Sequence, residues 1–278
     1  MRLSVWLLVA APPAAAMNLF NLAPPSPVTV VASTVAELVL RARLREVQKV
    51  DVNVDSSPAG LLTGRVDGVS VTGRSWCTPM RLSCRSVQLS VGTTALDIPA
   101  LLSSRRIVLQ SPATGTATIC FSPADWDNFL RHPLLLASLK QQRAAAPAPE
   151  VLFRAGARVL PPPFNEHAGG IQFPLEWDGQ PLIAQLRQRR TDGQVVVETR
   201  ASGRRLDLSD ASDVADASEW LKSFFETLVV DLDGCALTFR GMRTVRGAEL
   251  SLDLDVCVRS FPSLDVNSVQ NSSSRATY

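Results

Sequence analysis

Residues 50–73 read VDVNVDSSPAGLLTGRVDGVSVTG. Val50, Val52 and Val54 alternate with Asp51, Asn53 and Asp55, the period-two pattern of a strand with one buried and one wet face. Ser56-Ser57-Pro58 breaks the pattern, and Leu61-Leu62 then sits between Gly60 and Gly64 as the tip of a turn. Val66, Val69 and Val71 do not share one parity, so the register has to shift near Asp67-Gly68. A β-bulge at Gly68 is the cheapest way, because glycine accepts the positive φ that a bulge often needs. The break recurs downstream: Leu82 and Cys84 are even, whereas Val87, Leu89 and Val91 are odd. Repeated bulges imply a bent, strongly twisted sheet.

Working outward, residues 34–46 read as a helix capped by Ser33 or Thr34, with Glu37 in the capping-box position. Val35, Leu38, Val39, Ala42 and Val47 form its apolar stripe. Ile107–Leu109 and Thr116–Phe121 continue the strands. Ser122-Pro123-Ala124-Asp125 then starts a helix, with serine as cap, proline in the first turn and an acid near the positive helix end. Trp126, Phe129 and Leu130 make its apolar face, and Pro133 ends or kinks it. Residues 143–149, RAAAPAP, read as a linker. Strands resume at Ile171–Trp177, with hairpin turns at Asp178-Gly179 and Asp192-Gly193. A second amphipathic helix spans 211–228, followed by strands over 230–239 and 248–258. The predicted architecture is α+β: two bent antiparallel meanders wrapping amphipathic helices, since tight glycine turns leave no room for crossover helices.

The boundaries implied are a targeting segment at 1–33, one domain at 34–260 and a polar tail at 261–278. Within the domain, 34–142 is the first meander with its helices and 150–260 the second. Arg2, the apolar run Val5–Ala11 and Ala14-Ala15-Ala16 read as a secretory-type signal, and the run is too short to span a membrane. No acid precedes Glu37, and serines and threonines follow the apolar run, which equally suits an organelle-targeting peptide.

Charge is close to balanced at +2, with one tyrosine in 278 residues, so neither a basic nucleic-acid face nor a base-stacking platform is expected. Five cysteines without a C-x-x-C pair and two histidines argue against zinc, and no cofactor is expected. His132 and the Glu166-His167 pair carry no accompanying nucleophile motif, and solvated loop roles are the plainer reading. Asp125 and Asp127 fall on different sides of a helix, and Asp231, Asp233, Asp253 and Asp255 alternate on wet strand faces. Arg41, Arg43, Arg45, Lys49, Arg187, Arg189, Arg190, Arg204 and Arg205 are either ordinary surface or a means of attracting anionic headgroups.

The segments VDVNVDSSPAGLLTGRVDGVSVTG and, at 114–135, TGTATICFSPADWDNFLRHPLL resemble the LmeA-like phospholipid-binding family. That family's pattern is a valine strand, an LL-x-G turn, a second valine strand, and later a serine-capped helix ending in Pro-Leu. Here the last part stands as Phe121, Ser122, Asp125, Trp126, Asn128, Leu130, Pro133 and Leu134, with Asp127 inserted relative to the pattern. The resemblance covers about residues 34–258 and rests on apolar pattern, glycine and proline. It implies a tubular-lipid-binding (TULIP-like) fold, non-catalytic, with a phospholipid or other acyl lipid and a membrane surface as partners and no nucleic acid. The family's cyanobacterial and plastid distribution, with the acid-free leader, makes the plastid the expected location; a secreted or lumenal protein is the alternative.

On that reading a groove would be lined by Leu38, Val52, Val54, Val69, Val71, Leu89, Ile119, Phe129, Leu221, Phe225, Leu252 and Leu254. Membrane contact would fall to Leu61, Leu62, Leu134, Leu135, Arg105 and Arg106. Two other classes fit the same sequence: an enzyme or accessory factor acting on lipids or lipid-linked sugars, and an interaction module with a filled core.

Overall fold

The computed structural model describes residues 27–97, 99–100, 108–137, 139, 149–161, 167–189, 193–202, 210–232, 234–245 and 249–259. The leader, the tail, most of the linker, Leu101-Leu102 and Ile107 lie outside them.

Helix α1 (Pro27–Arg43) leads into β1 (Lys49–Asp55) and a short α2 (Pro58–Leu62). Next come β2 (Arg65–Val66), β3 (Gly68–Cys77), β4 (Ser83–Val91), β5 (Thr94–Ala95), β6 (Ala113–Phe121) and α3 (Pro123–Leu130). The second half holds β7 (Val151–Phe153), β8 (Arg158–Leu160), β9 (His167–Trp177), β10 (Gln180–Arg189) and β11 (Val195–Ala201). Helix α4 (Asp210–Thr227), β12 (Val229–Leu232), β13 (Cys235–Val245) and β14 (Glu249–Val258) close the chain. The α+β class with antiparallel sheets holds.

The strands do not divide into two sequential meanders. The larger sheet has seven strands in the order β1-β3-β4-β6-β14-β13-β12, so the C-terminal hairpin completes the first meander. Strands β7, β9, β10 and β11 form the second sheet, with β8 added to β9. Helix α4 packs on β11 and also touches β13, and so lies between the sheets. The 178–179 turn joining β9 to β10 has positive φ at both residues, 47° and 82°, as a two-residue type I′ hairpin requires.

The opening stretch folds differently from its sequence pattern. Gly68 pairs with Asp55 in an unshifted β1–β3 ladder, with no bulge there. Val66 is out of phase because it belongs to β2, which leaves the sheet to pair with β5. Strand β4 likewise runs from Ser83 without a shift against β3 or β6, so the Cys84 parity break is a change of face and not a bulge. The register shifts lie elsewhere, between Phe239 and Gly241 and between Arg187 and Arg189. Leu61-Leu62 is helical: Ser57 caps α2 by accepting the Gly60 N–H at 2.9 Å, and Pro58 follows the cap. Helix α1 begins upstream of the expected cap. Ser33 Oγ instead accepts the Val54 N–H at 3.0 Å, and Thr34 donates back to the Val30 carbonyl. Residues 230–239 are two strands, because a turn at Gly234, with φ of 89°, divides them.

The ladder aligns one apolar face across the larger sheet. Val52 faces Val71, Val71 faces Leu89, Leu89 faces Ala117, Ala117 faces Leu254, and Leu254 faces Phe239. Ala36 and Leu40 of α1, with Leu44 just beyond it, cover the β1 end and form a small core with Val50, Val52 and Val71. The main core covers the other end and draws on α3, α4 and both sheets.

Polar clasps fix how the sheets meet. The Gln188 amide accepts the Met242 N–H at 2.7 Å and donates to the Gly193 carbonyl at 2.7 Å. Thr244 Oγ1 donates to the Leu160 carbonyl and accepts the Gly170 N–H, both at 3.0 Å. Asp127 ties α3 to the β7–β8 connection by accepting the Gly156 and Ala157 N–H groups at 2.8 and 3.0 Å.

Within the larger sheet, a Cβ on Gly115 would lie 2.0 Å from the Ser90 carbonyl oxygen on β4. Gly115→Ala should therefore force β4 from β6 and cost about 3 kcal/mol. At about 2–4 °C per kcal/mol for a chain of this size, thermal denaturation should fall by about 6–12 °C.

Candidate lipid cavity

Serine 122 builds the site's first wall. Its hydroxyl accepts the Asp125 N–H at 3.2 Å, and the Asp125 carboxylate accepts the Ser122 N–H at 3.1 Å, a reciprocal cap that starts α3 where β6 ends. Asp125 also accepts the Ser83 hydroxyl at 2.6 Å, which pins α3 to the start of β4. His132 is buried, and its Nδ1 accepts the Leu134 N–H at 3.3 Å, so Nε2 carries the proton and donates to the Met80 carbonyl at 3.0 Å. These bonds hold Trp126 and Phe129 against the apolar face of β6.

Between α3, α4 and the two sheets lies a partly open cavity of about 70 Å³. The larger sheet contributes Ile119 and Phe121 of β6, Leu252 and Leu254 of β14, Leu237 and Phe239 of β13 and Val230 of β12. Trp126 and Phe129 of α3, Phe225 of α4, Leu228, Leu186 of β10 and Leu82 beside the β4 start complete the lining. Leu82, Ile119, Val230, Leu237 and Phe239 are partly exposed and mark the rim, and the remaining lining side chains are buried. Every lining side chain is apolar or aromatic. An all-apolar lining favours hydrocarbon over polar groups, since burying each CH₂ is worth about 0.8 kcal/mol.

Of the residues expected to share a groove, Ile119, Phe129, Phe225, Leu252 and Leu254 come together around this cavity. Leu221 is fully buried in the adjoining core and does not line it. Val52, Val54, Val69 and Val71 occupy the same sheet face but lie under α1, and Leu89 packs against both clusters. Leu38 points away from the sheet at 68% exposure, a correction that follows from the true phase of α1. Leu62 is 82% exposed, whereas Leu61 and Leu134 are half-buried. Leu135 is 2% exposed and belongs to the core, so it cannot reach a membrane in this state. Arg105 and Arg106 lie outside the described residues.

The sequence reading missed Leu82, Phe121, Trp126, Leu186, Leu228, Val230, Leu237 and Phe239 as lining residues. Trp126 and Phe121 were visible as apolar positions flanking the serine cap, but nothing local shows that β12, β13 and α4 close over them.

The ionisable groups are dispersed. Asp253 accepts the Thr118 hydroxyl at 2.8 Å and pairs with Arg243, and Asp255 pairs with Arg240 at 3.8 Å. Arg41 pairs with Glu37 and Arg45 with Glu46. Glu166, Arg190, Arg204, Arg205 and Asp233 lie outside the described residues, as do the side chains of Arg43, His167 and Asp231. Among the described residues no group of three or more His, Cys, Asp or Glu is placed to hold a metal ion. Burial pushes the Cys84 thiol up to about 12, and the nearby Asp125 carboxylate adds to the rise.

Cys84 should consequently resist iodoacetamide at pH 8 in the folded chain and react fully once denatured, as read by mass spectrometry. The unfolded chain releases this proton near pH 9.0 and the folded chain near 12. The stability linked to Cys84 is thus intact below pH 9 and is lost as pH rises towards 12.

No curated protein and no solved structure was found to match the chain. One family model does match, over residues 26–254, and it spans the serine-capped helix, the second sheet and every residue lining the cavity. The chain belongs to the LmeA-like phospholipid-binding family.

Proposed function

We propose that this protein binds a phospholipid or a related acyl lipid, one hydrocarbon chain entering the cavity between α3, α4 and the sheets. The all-apolar lining is the observation that carries the reading, and the family's phospholipid-binding character supports it. An apolar cavity of about 150 Å³ binds benzene, so the 70 Å³ seen here has to widen to take an acyl chain. Lipid entry requires α4 or β12 to move outward. Val230 and Leu237 lie on the partly exposed rim, on β12 and on the strand paired with it. In this reading the protein is a binder or carrier and not a catalyst, and the two sheets around an apolar interior suit a tubular-lipid-binding architecture.

The same reading puts one end of the molecule at a membrane. Ser33 bonds to Val54, so the start of α1 lies beside the end of β1, three residues before α2. Val30, Val31 and Leu62 are all exposed at this end, and such side chains insert favourably at the headgroup boundary. The acid-free N-terminal segment supports delivery to a plastid.

Two measurements test these roles separately. Lipid extraction of the purified chain followed by mass spectrometry should return acyl lipid, and Val230→Trp, which fills the rim, should lower lipid content at least about tenfold with denaturation unchanged. Recovery of no acyl lipid from the unaltered chain would sink the proposal. Leu62→Asp should keep lipid content and fold, since exposed substitutions stay within about 0.5 kcal/mol, but weaken sedimentation with anionic vesicles. Unchanged sedimentation would remove that end of the molecule from the membrane.

A further inference from the structure

One residue that lines the cavity carries a buried polar atom without a hydrogen-bond partner. Trp126 is 1% exposed and lines the cavity, and its Nε1–H has no hydrogen-bond partner. Its ring neighbours are Phe121, Phe129, Phe173 and Phe225, with centroids 5.4–6.3 Å away. None of these rings carries a lone pair. Thr94 Oγ1, Arg187 Nε and Ser251 Oγ are also buried without partners, but none of those residues lines the cavity. A buried indole normally finds an acceptor, and an N–H left without one keeps its desolvation cost. A phenylalanine would fill this wall without that cost, so the indole adds a directed donor to an otherwise featureless hydrocarbon site.

We propose that Trp126 Nε1–H is the polar anchor of the bound lipid, donating to the carbonyl oxygen of an acyl ester whose chain fills the cavity. The inference rests on the lipid-binding reading of this cavity and names the lipid group the cavity selects. An ester carbonyl fits better than a free carboxylate, because an ion carried into an all-apolar site loses its hydration with no cation to replace it. Nε1 is shielded from solvent, so the bond forms as the walls part around the chain. The donor then acts as a depth gauge: it sets how far the chain enters and leaves the glycerol and headgroup at the rim.

The test uses the full chain and two probes, 1-palmitoyl-lysophosphatidylcholine and its 1-hexadecyl ether analogue. The two share headgroup and chain length and differ at the carbonyl. The ester should bind about fivefold more tightly, equivalent to about 1 kcal/mol. Of the five tryptophans, the one whose indole proton disappears from the spectrum of Trp126→Phe should move downfield with the ester alone. Trp126→Phe should bind both probes equally. Should that variant fail to fold, the two-probe comparison and the indole shift in the unaltered chain still decide the matter. Equal binding of ester and ether with no distinct indole shift would overturn the anchor and leave lipid binding standing. Binding of neither probe would overturn both.

Discussion

The ladder between β6 and β14 is the constraint on which the rest of this structure depends. It pairs nine residues in unbroken register, from Phe121 with Leu250 to Ala113 with Val258. These partners are more than a hundred positions apart in the chain, so their pairing carries a large loop-closure cost that burial must repay. The repayment is visible on the inward face, where Leu250, Leu252, Leu254, Val256 and Val258 are all buried. Without this ladder the first meander would end in an open edge at β6. The cavity would lose its β12–β14 wall.

Polar groups in this fold serve chiefly to place apolar ones. The Ser122–Asp125 cap turns β6 into α3, Asp127 holds that helix to the β7–β8 connection, and Gln188 and Thr244 lock β13 to the second sheet. Each bond satisfies a backbone group that would otherwise be stranded at a sheet junction. Their combined effect is an apolar space between α3, α4 and the sheets that none of them lines. An apolar site of this kind needs no convergent ionisable side chains, and the paired acids among the described residues each have separate structural partners: Asp125 holds Ser83, Asp127 the Ala157 N–H, Asp253 Thr118 and Asp255 Arg240.

Residues with one-sided environments were legible in advance. The Val50–Val54 alternation, the β14 alternation and the serine-capped start of α3 all follow from local periodicity or backbone hydrogen bonding, and the structure has each of them. Half-buried segments with competing partners were not. Val66 looked like part of a bulged strand because sequence parity cannot tell a bulge from a strand that leaves for another sheet. Helix α1 is apolar around much of its circumference, so its stripe did not fix its phase, and Leu38 was assigned inward when it faces out. Ser33 looked like a cap but bonds across to β1, a partner twenty-one residues away.

The sequence by itself determined the alternating strands, a hairpin turn at Asp178-Gly179, the capped helix and the family resemblance, because each is written in neighbours a few positions apart. Only the tertiary structure decided that the last hairpin joins the first sheet, that α4 lies between the sheets, and that Trp126, Phe225 and Leu186 line one cavity. Those outcomes turn on which apolar faces bury each other. Burial is non-directional and depends on area, so many pairings of the same stripes are locally equivalent, and the choice among them is made only when the whole chain closes on one core.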